Sequence, residues 1–148
     1  MGAGVNTVEF HHGVPDKLAY ACRLLRKAYR SGAKVLVTGS PAILKSLDRQ
    51  LWVFDDQEFL PHVLVQPDKA VPERQHITPV WLSADGAGVP ADCSILVNLG
   101  PDMPADVQRY ERLFEVVSRD PEDRQQGRQR WKRYEALGLQ IQPHEVKE

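Results

Sequence analysis

The sequence predicts an α/β fold: a single domain of three α/β/α layers, with a mostly parallel sheet and helices on both of its faces. Three observations predict it. Short apolar runs such as Lys34-Val-Leu-Val-Thr38 recur, and such runs mark strands covered on both faces. Elsewhere apolar residues repeat at helical spacing. The two kinds of segment alternate, the order that builds a parallel sheet through crossover connections.

Each element follows in turn. Val5 to His11 has the β-branched and aromatic mix of a strand. Pro15 and Asp16 open a helix whose inward stripe is Leu18, Ala21, Cys22, Leu25 and Ala28. Gly32 closes it, with Arg26, Lys27 and Arg30 where the helix dipole favours cations. Lys34 to Thr38 is the second strand. Gly39-Ser40-Pro41 turns the chain into a helix from Pro41 to Trp52, with Ile43, Leu44, Leu47 and Leu51 facing in. His62 to Gln66, Ile77 to Ser83 and Cys93 to Leu99 read as strands, and the Gly-, Ala- and Asp-rich residues 84–92 as a loop. Pro104 to Glu111 predicts a short helix, Leu113 to Ser118 a last strand, and Pro121 to Gly138 the final helix. Residues 1–148 read as one domain, with 139–148 as a flexible tail.

Composition sets bounds on function. A chain of 148 residues that is 42% hydrophobic and 26% charged belongs with ordinary soluble globular domains. Its net charge of −1 and pI near 6.5 argue against a general nucleic-acid binder, which is basic over a whole face. Cys22 and Cys93 lie far apart in apolar contexts and read as buried thiols of a reducing compartment. MGAGVNTVEF lacks the basic and apolar regions of a secretory leader, and no apolar run is long enough to span a membrane. The cytoplasm is the expected location.

A search for chemistry returns little. Thr38-Gly39-Ser40-Pro41 occupies the place of a phosphate loop between strand and helix, but it lacks the glycines and the Lys-Ser/Thr pair, and Pro41 removes an amide donor. His11, His12, His62, His76 and His144 show no zinc-site spacing. There is no nucleophile elbow. No cofactor, metal or catalytic residue is expected.

Two segments stand out instead. Between Arg124 and Tyr134 the final helix carries Arg124, Arg128, Arg130, Lys132 and Arg133 with no acidic residue, and Trp131 and Tyr134 lie among them. Helical spacing puts Arg124, Arg128 and Trp131 on one face. A guanidinium beside an aromatic plate suits a ligand that carries carboxylates and is partly apolar. The alternative is a solvated face with Trp131 turned into the core. The second segment runs from Leu51 to His62, where Trp52, Phe54, Phe59, Leu60 and Pro61 crowd a loop rimmed by Asp55, Asp56 and Glu58. One or two of these cap the core; the rest have the composition of an interaction hot spot.

Taken in order, the chain resembles the chi-subunit family of the bacterial DNA polymerase III holoenzyme. The matching pieces are Val8-Glu-Phe, Ala28-Tyr-Arg-Ser-Gly-Ala-Lys-Val-Leu-Val37, Leu47-Asp-Arg-Gln-Leu-Trp52, Glu58-Phe-Leu-Pro-His62, Leu96-Val-Asn-Leu-Gly100, Phe114-Glu-Val-Val117, and Arg128-Gln-Arg-Trp-Lys-Arg-Tyr134 with Gly138. Two positions depart from the family pattern: His11 stands where an aromatic is usual, and Trp131 where tyrosine is usual. The resemblance implies a nucleotide-binding-like (Rossmann-like) fold without a working phosphate loop, and a noncatalytic adaptor of the clamp loader. It implies that Arg124, Arg128, Trp131 and Gly138 bind the acidic, Phe-ending C-terminal tail of single-stranded DNA-binding protein. It implies that Trp52 and Phe59, with Pro61 and His62 adjacent, bind the psi subunit, with a DNA helicase as an alternative partner there. DNA itself would be met only indirectly. Two other readings stay open: a small-molecule enzyme with a polar pocket near Gly39, Ser40 and Gly100, and direct single-stranded nucleic-acid binding through the C-terminal helix.

Overall fold

The computed structural model describes residues 7–54, 59–66 and 68–147. The chain runs β1 (Thr7–Val14), α1 (Lys17–Arg30), β2 (Val35–Thr38), α2 (Pro41–Val53), β3 (His62–Leu64), β4 (Val80–Leu82), β5 (Ile95–Asn98), β6 (Arg112–Ser118), α3 (Pro121–Ala136) and β7 (Gln140–Glu145). The strands form one sheet in the order β3-β4-β2-β5-β6-β1-β7, and each neighbouring pair is parallel.

Strand alternation sorts the core into two layers. Val35 and Val37, Ile95 and Val97, Val80 and Leu82, and Phe114 and Val116 point to one face. There they meet Ala21, Cys22 and Leu25 of α1 and Leu44, Leu47 and Leu51 of α2. Leu36, Leu96, Trp81, Leu113 and Val117 point the other way, joined by Val8, Phe10 and Tyr134 of α3. The three layers expected from the sequence are present, and the sheet is parallel throughout.

Each helix starts on a side-chain cap. Asp16 accepts from the Ala19 amide at 3.1 Å, Ser40 from Ile43 at 3.2 Å, and Asp120 from Glu122 at 2.9 Å. Pro41 and Pro121 take the first helical position, whereas Pro15 lies just before its cap. The thiols of Cys22 and Cys93 are buried and unpaired, and burial pushes both up to about 11. Among the described residues no helix is long and apolar enough to cross a membrane.

Three expectations need correction. The helix predicted over Pro104 to Glu111 is only a 3-10 turn at Val107–Arg109, because Asp106 takes a left-handed conformation (φ 51°) in front of it. Leu113 to Ser118 is not the last strand. Where a flexible tail from 139 was expected, Gln140–Glu145 pairs with β1, and Ile141 packs into the α3-side core. The start of the first strand at Val5 lies outside the described residues.

A buried charge cluster fixes α3 to the sheet. Glu115 of β6 is fully buried, and its carboxylate accepts from Arg130 Nε at 3.0 Å and Nη2 at 2.9 Å. It also accepts from the Tyr134 hydroxyl at 2.6 Å and from Asn98 Nδ2 at 2.8 Å. Arg130 Nη1 donates to the Pro101 carbonyl at 2.9 Å. Burial disfavours the Arg130 charge, but Glu115 more than offsets that and raises its pKa. Burial, with the Glu115 charge second, pushes the Tyr134 hydroxyl far above its ordinary range, so it stays a donor. Gly100 (φ 78°) passes so close that a Cβ there would lie 2.9 Å from Arg130 Nη1. Glu115→Ala leaves a buried guanidinium without its counter-charge and is expected to cost about 3–5 kcal/mol. Urea unfolding of the variant measures this, and a loss below about 1 kcal/mol would show that the cluster does not hold the helix.

Candidate functional site

α3 presents two different sides. Gly127 lies against β6, where a Cβ would come within 2.9 Å of Val117, so the helix sits close to the sheet. One and two turns on, Arg130 and Tyr134 also point inward, so two members of the cation-rich run belong to the core rather than to its surface. Arg124 and Arg128 are exposed, and among the described residues neither has an ion pair. Trp131 is half-buried, its ring edge-on to Phe10 of β1 at 4.9 Å and 64°. It is neither wholly in the core nor a free surface plate. One side packs at the seam between α3 and β1, and the other borders the arginine flank. Gly138 (φ 86°) ends α3 in a left-handed turn, with Leu139 N donating to the Tyr134 carbonyl at 3.1 Å. No atom lies within 4 Å of a Cβ built there, so the approach past Gly138 is open.

The structure thus sets Arg124, Arg128 and Trp131 along one flank and Gly138 at the far end of the helix. It adds residues that the sequence reading missed. At its first turn α3 borders a cleft of about 540 Å³ where Arg119, Arg124 and Lys147 face Glu145. Arg119 and Lys147 meet there only because β7 returns beside β1, and no local spacing signals it. A second cleft, of about 590 Å³, opens on the other flank of α3, with Met103, Pro104, Val107 and Leu137 as its apolar lining and Arg109 and Arg133 as its cations.

The aromatic loop divides as well. Trp52 is 61% exposed and Phe59 49%, with ring centroids 5.1 Å apart. Leu60 is buried, and the half-buried Phe54 packs on the core under the guanidinium of Arg26 at 4.8 Å. Pro61 is half-buried, and Asp55, Asp56 and Glu58 lie outside the described residues. The His62 side chain is buried. Its Nδ1–H donates to the Leu60 carbonyl at 2.8 Å, and its ring lies 5.3 Å from Trp52 and 5.8 Å from Phe59. Asp48 Oδ1 stands 3.1 Å from Nε2 but off the hydrogen-bond direction, so that nitrogen has no hydrogen-bond partner among the described residues. His62 therefore supports the two exposed rings from beneath. The patch lies by β3, at the sheet edge opposite β7.

At the carboxyl ends of β2 and β5, where a phosphate or substrate pocket would sit, the polar groups are spent on one another. Ser40 N donates to the Gly100 carbonyl at 3.1 Å, and the Ser40 hydroxyl is spent on capping α2. Thr38 Oγ1 donates to Asn98 Oδ1 at 2.8 Å. A Cβ at Gly39 would lie 2.8 Å from Ile43. Among the described residues no three His, Cys, Asp or Glu side chains are placed to hold a metal.

The exposure difference within the aromatic loop has a direct consequence. Phe59→Ala is expected to change stability by less than about 1 kcal/mol, and Leu60→Ala to cost about 2–5 kcal/mol. Parallel denaturation curves measure both, and a large loss at Phe59 would make it a core residue.

Comparison with known proteins identifies the family. Residues 5–142 match the family described as DNA polymerase III chi subunit, HolC. The chain is 32% identical over 133 residues to the DNA polymerase III subunit chi of Pseudomonas aeruginosa, covering 88% of this chain and 87% of that one. It is 29% identical over 127 residues to the subunit chi of Haemophilus influenzae, covering 85% of each. Among solved structures, the C-terminal domain of S. cerevisiae Dbp5, in a complex with Gle1 and IP6, superposes with a TM-score of 0.58 at 8% identity, covering 96% of this chain and 92% of that one, a likeness of fold alone. The chain belongs to the chi-subunit family of DNA polymerase III, noncatalytic accessory subunits of the replicative polymerase.

Proposed function

We propose that this chain is an adaptor of DNA replication with two docking faces. The flank of α3 takes the acidic C-terminal tail of single-stranded DNA-binding protein. The Trp52–Phe59 patch takes the psi subunit of the clamp loader, or a DNA helicase in its place. The observation that carries the reading is the pair of exposed guanidinium groups of Arg124 and Arg128, without an ion pair among the described residues, on the same helix flank as Trp131 and away from Trp52 and Phe59.

The chemistry follows from the groups present. Arg128 offers two parallel N–H donors to a terminal carboxylate, and the open side of Trp131 offers a plate for the last phenyl ring. Aspartates further up the tail meet Arg124 and, beyond it, Arg119 and Lys147. That attraction is long-range and weakens with salt. At the other face, two exposed rings on a buried histidine form a small apolar anchor, the kind of centre on which protein contacts concentrate. Holding both partners raises the local concentration of the clamp loader at coated template, with no bond made or broken. The role places the chain with the replication machinery of the cytoplasm.

A fluorescent acidic peptide ending in Ile-Pro-Phe tests the tail site. Wild type is expected to bind it in the micromolar range, more weakly as salt rises, and Arg128→Ala to abolish binding while the fold is unchanged. Equal binding by wild type and Arg128→Ala, or none by wild type at low salt, would sink the assignment.

A further inference from the structure

The face of the sheet away from α3 carries a second site. α1 covers β5 and β6 but stops short of the outer strands, leaving a cleft of about 410 Å³ beside it. Its floor is apolar: Ile95, Val97 and Phe114. Its rim mixes polar groups, Ser31 just past α1, His11 of β1, and Gln142 and His144 of β7, with the charged Glu9, Lys27 and Arg112.

The rim is ordered. The rings of His11 and His144 lie with centroids 4.8 Å apart and tilted by 35°, at paired positions of β1 and β7. His11 Nδ1 shares a hydrogen bond with the Tyr20 hydroxyl, which locks its ring. Burial, with His144 second, lowers the His11 pKa to about 4, so that ring is neutral at physiological pH. The Arg112 guanidinium lies 4.7 Å over Phe114 and is oriented by Glu9, which takes Nε at 3.1 Å and Nη2 at 2.8 Å. Its Nη1 has no partner among the described residues. On the α1 wall, Lys27 is exposed and has no ion pair among the described residues. Arg23 lies one turn before it, and α1 carries no acidic residue from Lys17 to Arg30.

We infer that this cleft binds a single-stranded DNA segment, with one base against the exposed ring of His144 beside His11 and its phosphates along Lys27, Arg23 and Arg112. Neutral amide, hydroxyl and imidazole groups around an apolar floor suit the edge of a heteroaromatic ring, whereas a phenyl ring would leave them unsatisfied. Aromatic rings beside cations are the general arrangement for a single strand. The acid lining the cleft is Glu9, and it is paired with Arg112, so Lys27 and Arg23 supply most of the attraction. The cleft and the α3 flank lie on opposite faces of the sheet, so a strand and a protein tail can be held together. The inference does not depend on the tail site.

The test is fluorescence anisotropy of a labelled oligothymidylate at low salt. Wild type is expected to bind it, and Lys27→Glu to weaken binding and reduce the slope of log K against log salt by about one. His144→Ala, at an exposed edge position, is expected to weaken binding about tenfold through lost stacking. Arg128→Ala is expected to bind like wild type, which separates this site from α3. No binding by wild type, or undiminished binding by both Lys27→Glu and His144→Ala, would overturn the inference. So would loss on Arg128→Ala, or thymidine monophosphate binding as tightly as the oligomer, which would assign the cleft to a free nucleotide.

Discussion

The carboxylate of Glu115 is the constraint on which the rest of the molecule depends. It lies inside the protein, on the face of β6 that α3 covers, and is saturated by Arg130, Tyr134 and Asn98. A buried ion pair is weak evidence for stability, because desolvation offsets most of its attraction. Its value here is specificity. Arg130 and Tyr134 are one turn apart on α3, so satisfying both on one carboxylate fixes the height and rotation of that helix. Asn98 extends the constraint to β5, and Arg130 Nη1 extends it to the loop at Pro101. With α3 set this way, Arg124 and Arg128 point outward and Trp131 falls at the seam with Phe10.

That one constraint also occupies the space beside Gly100 at the carboxyl ends of the strands. Arg130 enters from α3 and meets Gly100 there, and the Thr38–Asn98 hydrogen bond ties β2 to β5. The surfaces proposed for protein partners are the flank of α3 near β7 and the aromatic patch near β3. Both are small and open. Contacts of that kind release readily, which suits the proposed tether.

Much of the fold was legible in the sequence, for a physical reason. β2, β5 and β6 are covered on both faces, so their residues read as continuous apolar runs, and the helices carry clear stripes and caps. β7 was not legible. Of Gln140–Glu145 only Ile141 is even half-buried, so no alternation marks it, and it exists because β1 offers an edge. The charge cluster was hidden differently. Glu115 sits in a run that reads as an apolar strand, and Arg130 sits among cations that do face water; the link spans β6 and α3 and leaves no local pattern. For the candidate sites, spacing grouped Arg124, Arg128 and Trp131. It could not decide which of Trp52, Phe54, Phe59 and Leu60 turn inward, since all four lie near a helix end where periodicity fails. The partners came from resemblance to a family and from no single residue pattern.

The central claim is that one chain bridges two partners through separate faces. The most direct measurement is retention of the psi subunit on immobilised single-stranded DNA coated with its binding protein. Psi is expected to be retained only when this chain is present, and to be lost with either Arg128→Ala or Phe59→Ala while both variants stay folded. Retention of psi without the chain, or undiminished retention with both variants, would contradict the bridge.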